Sequence, residues 1–155
     1  MRHMVKVLAL VLFVTLLSSV GSAEDTIRVG LSAPITGNYA EFGENFKYAV
    51  QMAVDEINAQ GGLLGKQIVL KTYDFKLDVQ EGINAYRRLV NQDKACVVVG
   101  PPVSNLILAL APIAEELKVP IVGEPSDERA TTKSPGEPWG FVFASQPTCK
   151  EYGYT

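Results

Sequence analysis

The sequence predicts an α/β fold, an open parallel sheet with helices on both faces. Short apolar segments alternate with longer segments of helical period along the chain. The segment 96–99 is apolar at every position, as suits a strand covered on both sides. Each helical segment keeps one apolar face, which needs a sheet to cover it.

Taken in order, the strand candidates are 27–31, 67–73, 96–99, 120–122 and 141–143. The second alternates through Ile68, Leu70 and Tyr73, which places it nearer a sheet edge. The first helix spans 43–60, with Phe46, Ala49, Val50, Ala53, Val54 and Ile57 on one face. Gly61 and Gly62 follow, where a helix end favours positive φ. The second helix spans 78–92 behind an Asp78 N-cap, with Val79, Ile83, Tyr86 and Val90 facing inward. The third spans 104–118, with Ser104 at its cap and Ile107, Leu110, Ala111, Ala114 and Leu117 inward. Pro112 lies inside it, where the missing N–H and the ring should kink or restart the helix.

At 155 residues the chain has room for one domain, and 47% hydrophobic against 20% charged residues marks a core-forming chain. A net charge of −3 excludes a basic nucleic-acid footprint. The first residues read as an export signal: Arg2 and Lys6, an apolar run over 7–17, then small residues with Gly21 and Ala23 set for cleavage. A membrane span needs about 20 apolar residues, more than this run supplies. No cysteine follows the run, so a lipid anchor is not indicated. Removing 1–23 takes away two basic groups and no acidic one, leaving a more acidic mature chain from 24 onward outside the inner membrane.

The sole histidine, His3, falls in the leader, so the mature chain has no His-based triad or zinc site. Cys96 and Cys149 match no metal spacing. They should also remain unpaired, because they fall at opposite ends of the strands, farther apart than the roughly 7 Å between Cα atoms that a disulfide spans. Cys96 should be a buried small apolar residue, and Cys149 exposed or near the domain border. Neither a G-x-G-x-x-G turn nor a phosphate loop follows the first strand, and no cofactor is implied.

Ligands of open parallel sheets bind beyond the strands' C-terminal ends. There the informative residue is Ser104, at the start of a helix whose free N–H groups suit a small carboxylate. It either caps its own helix or serves such a ligand. It lacks the G-x-S-x-G context and a histidine to activate it, so it is not a nucleophile.

The strings IRVGLSAPITG at 27–37, AEFG at 40–43 and AVDEINAQGGLLG at 53–65 resemble the opening of the leucine/isoleucine/valine-binding family. YD at 73–74, VVVG at 97–100 with Ser104 beyond it, and VPIV at 119–122 continue the resemblance in the same order, so that it covers 24–155. It implies the first lobe of a two-lobe, type I periplasmic solute-binding protein, with the second lobe beyond Thr155. Such a protein captures an amino acid or related small polar metabolite without catalysis and delivers it to the membrane permease subunits of an ABC importer. The same fold also serves as the sensing input domain of receptors.

By that resemblance the ligand-binding residues are Ser104, donating to a carboxylate, and Asn105 beside it; Phe42, lining the cleft; and Pro125, Ser126 and Asp127 in the loop after the fourth strand. Two departures stand out. Asp127 would repel a carboxylate unless it is turned away or the ligand carries a cation there. The disulfide of the family falls here at Leu77 and Val103 and is absent.

Overall fold

The computed structural model describes residues 26–151 and 153. The leader 1–23 therefore lies outside the described residues. Five parallel strands form the sheet: β1 (Ile27–Ala33), β2 (Ile68–Asp74), β3 (Val97–Val99), β4 (Ile121–Gly123) and β7 (Val142–Ala144). Their order is β2-β1-β3-β4-β7, with β2 at an edge as its alternation predicts. A small antiparallel hairpin, β5 (Thr132–Ser134) and β6 (Glu137–Pro138), stands apart from the sheet. Its turn is Pro135-Gly136, a dipeptide that marks reversals, and the strand-helix pattern leaves it unpredicted.

Three helices connect the strands: α1 (Ala40–Ala59), α2 (Val79–Asn91) and α3 (Ser104–Leu117). Asp78 caps α2 as predicted, its Oδ1 accepting from the Glu81 N–H at 2.8 Å. At the end of α1 the Gly62 N–H donates to the Ile57 carbonyl, and Gly61 and Gly62 have φ of 101° and 81°. α3 runs continuously through Pro112, with no restart.

One face of the sheet carries the main core. Tyr86, Leu89, Val98, Leu106, Ile107, Leu110, Ala111, Ala114, Ile121 and Val142 cluster there under α2 and α3. Alternation turns Leu31 and Ala33 to the other face, where they are buried with Val54 of α1 and Ile68 of β2. Asn58 of α1 fixes this second layer, its side chain exchanging hydrogen bonds with the backbone of Ile68 at 2.7 and 2.9 Å.

Two predicted burials are corrected. On α1, Ala49, Ala53 and Ile57 of the expected inward face are exposed, because α1 lies mainly over β1 and β2. Cys96 is also exposed. It sits one residue ahead of β3, its N–H donating to the Arg28 carbonyl, so it is outside the covered part of the strand. Cys96 and Cys149 are both free thiols, and Cys149 is exposed as expected.

Candidate functional site at the strand C-terminal rim

The C-terminal rim is assembled from loops that the backbone positions closely. After β3 the chain turns at Gly100, φ 82°, where a Cβ would sit 2.3 Å from the Ser32 carbonyl oxygen. No side chain fits there, and the turn delivers the chain to the start of α3.

Ser104 does not cap its own helix. Val103 holds the N-cap position and Ser104 is the first helical residue. Its Oγ instead accepts two hydrogen bonds from the loop after β4, from the Ser126 N–H at 3.0 Å and the Asp127 N–H at 3.2 Å. A hydroxyl accepts through two lone pairs and donates one hydrogen. With both lone pairs engaged, what Ser104 has to offer a ligand is its hydrogen, at the N-terminal end of α3 where partial positive charge gathers. The arrangement is a fixed donor.

An open groove of about 500 Å³ lies there, lined by Ser104, Ser126, Asp127, Glu128, Cys149 and Lys150. Its charges are paired. Arg129 donates to Asp127 through Nε at 3.0 and 3.1 Å and through a terminal nitrogen at 2.5 Å, and its N–H adds a fourth bond at 2.9 Å. Hydrogen bonding from the guanidinium holds the Asp127 carboxyl below its usual range. The Asp127 carboxylate is therefore matched by the Arg129 guanidinium. Lys150 Nζ likewise meets Glu128 Oε1 at 2.9 Å, and the Cys149 N–H donates to the Ser126 carbonyl.

Of the six predicted ligand residues, Ser104, Ser126 and Asp127 meet in this groove. Asn105 begins the same helix, but its Oδ1 accepts from the neighbouring Leu106 N–H at 2.9 Å. Pro125 is fully buried beneath the loop and shapes it from below. Phe42 is 46% exposed on the first turn of α1, outside the groove lining.

Sequence reasoning gave no binding role to Arg129, whose spacing of two from Asp127 is the available signal, or to the groove residues Glu128, Cys149 and Lys150. It also missed the clamp at Asp74. That side chain accepts from the Ile35 N–H at 3.0 Å, the Lys76 N–H at 2.9 Å and the Thr36 hydroxyl, tying the loop after β1 to the loop after β2. Partial burial pushes the Asp74 carboxyl up, but the bonds from Thr36, Lys76 and Ile35 outweigh it and hold the group below its usual range.

A parallel sheet with helices on both faces and a hydroxyl donor at its C-terminal rim is the architecture of a ligand-binding α/β lobe. Residues 26–152 match the periplasmic binding protein family, and the chain belongs to it. Among its relatives is a Leu/Ile/Val-binding protein, BraC3, of Rhizobium johnstonii, 37% identical over 94 residues, 61% of this chain and 25% of that one. The fold superposes with TM-score 0.73 on the LivJ substrate-binding protein of a branched-chain amino acid transporter from Streptococcus pneumoniae, solved with isoleucine. That match is 31% identical and covers 80% of this chain and 34% of that one. A solute-binding protein of an ABC transporter from Rhodopseudomonas palustris, solved with 3,4-dihydroxybenzoic acid, superposes with TM-score 0.69 at 26% identity, over 81% of this chain and 33% of that one. The chain thus spans about a quarter of the curated relative and a third of the solved structures.

Proposed function

We propose that this chain is the first lobe of an extracytoplasmic solute-binding protein, and that it binds a small carboxylate-bearing metabolite, foremost an amino acid, through the groove at Ser104. The ligand would pass to the permease subunits of an ABC importer, without chemical change at the site. One observation carries the ligand class. The two loop N–H groups engage both lone pairs of the Ser104 hydroxyl, so its hydrogen is committed outward as a donor, at the positive end of α3. The Arg129–Asp127 pair supports it, because it removes the uncompensated negative charge that would repel a carboxylate. The relatives add the same class, since isoleucine and dihydroxybenzoic acid share only a carboxylate among their charged groups.

The test is calorimetric titration of the protein with leucine, isoleucine and valine, with 3,4-dihydroxybenzoate, and with isobutylamine, which lacks the carboxylate. Binding should require the carboxylate. Ser104→Ala should weaken it by about 1–3 kcal/mol, the range for a hydrogen bond to a charged group. Equal affinity of the wild type and Ser104→Ala, or binding of isobutylamine as tight as that of leucine, would overturn the reading.

A further inference from the structure

A second recess lies beside the Ser104 groove, between α3, the 3-10 turn Glu128–Ala130 and the β5–β6 hairpin. It encloses about 510 Å³, within the roughly 300–1,000 Å³ of small-molecule sites. Its walls are tied together. Oε1 of Glu115 on α3 accepts from the Phe141 N–H at 2.9 Å and from the Gly140 N–H, and the Trp139 N–H donates to the Thr131 carbonyl at 3.0 Å. These bonds fix Trp139, which packs against the core. Trp139, Leu108 of α3 and Pro135 of the hairpin turn give the recess an apolar wall. Three cations, Arg129, Lys133 and Lys150, line it against one acid, Glu128. Lys150 is bonded to Glu128, but the other two cations keep free donors. Arg129 turns Nε and one terminal nitrogen to Asp127, and its other terminal nitrogen makes no hydrogen bond among the described residues. Lys133 Nζ is 3.7 Å from Glu115 Oε2, too far for a hydrogen bond, and 5.4 Å from the centre of the Trp139 ring.

We propose that this recess is a second ligand site, for a small aromatic monocarboxylate. The ring lies against Trp139, Leu108 and Pro135, where an indole offers a flat apolar surface for stacking. The carboxylate takes the free N–H donors of Lys133 and Arg129. A single negative charge suits the recess better than the charge of about −2 on a phosphate, because Asp127, Glu115 and Glu128 already offset most of its positive charge. The site shares Glu128 and Lys150 with the groove but not Ser104. It therefore does not depend on the role given to Ser104.

Trp139 is the only tryptophan of the 155 residues, so its indole N–H gives a single resonance in a nitrogen–proton correlation spectrum. That N–H is buried and meets no acceptor among the described residues, which makes it a reporter of this wall. Benzoate should shift the resonance saturably at about millimolar concentration, the strength expected of so small a ligand. Ser104→Ala should leave the titration unchanged. Lys133→Gln should weaken it by about five- to tenfold, as loss of one charge-assisted hydrogen bond at a partly exposed site predicts. Benzylamine, with the same ring and the opposite charge, should leave the resonance in place. No benzoate shift in the wild type, an undiminished affinity in Lys133→Gln, or a shift abolished by Ser104→Ala would overturn the proposal. So would an equal response to benzylamine, which would show a ring pocket indifferent to charge.

Discussion

At the scale of single residues, the rim is organised by side chains that bond to backbone outside their own element. Ser104 holds the loop after β4 rather than its own helix, and Asp74 holds the loops after β1 and β2 together. Ser104 was legible from the sequence as a polar residue at a helix start, but its partners were not. They lie 22 and 23 residues along the chain, and no local pattern records such a pairing. The Asp74 clamp has a pH signature. Its folded-state pKa is depressed, so its stabilisation is present above the unfolded value of about 3.9 and is lost as pH falls through the lower folded value. Asp74→Asn should therefore lower stability at pH 7, by at most about 1 kcal/mol at this half-exposed position. The difference from wild type should shrink at pH 3. Urea midpoints at the two pH values check this, and a gap that stays constant would show that the charge plays no part.

At the scale of elements, propensity and periodicity located all three helices and the five strands of the main sheet to within a few residues. The errors came where packing overrides periodicity. Pro112 removes one N–H and crowds the preceding turn, yet α3 continues. Leu110, Ala111 and Ala114 on either side of it are fully buried, and that packing holds the axis. Gly43 shows the opposite balance. In a free helix alanine is preferred to glycine by about 1 kcal/mol, but here a Cβ would lie 2.0 Å from the Pro34 carbonyl oxygen. That is backbone, which cannot rotate away, so the first turn of α1 must shift. Gly43→Ala should destabilise by about 1–3 kcal/mol, read as a lower midpoint of thermal or urea unfolding. A stabilised variant would show that α1 is free to move off the rim.

At the scale of the whole molecule, the expected export signal and the fold meet end to end. The small residues Gly21 and Ala23 suit a cleavage point, and β1 begins at Ile27, a few residues later. The mature protein should therefore begin at Glu24, and N-terminal sequencing or intact mass of the exported product checks it. Retention of residues 1–23 would contradict it. Cleavage there leaves the first strand whole and adds only a short tail to a sheet edge neighbour. With two unpaired cysteines, the lobe relies on its core rather than on a crosslink for stability. That core is uneven, thick under α2 and α3 and thin under α1.

By itself, the sequence determined the α/β alternation, the edge position of β2, the three helices and the family. Each of these depends on local periodicity or on a contiguous string, which a chain carries without folding. Only the tertiary structure decided which polar groups share the rim, that Arg129 neutralises Asp127, and that Cys96 and the Ala49–Ala53–Ile57 flank of α1 are uncovered. These depend on which surfaces meet. A periodic apolar stripe states that a face needs covering, but how many strands a helix covers is settled by the width of the sheet it lies on.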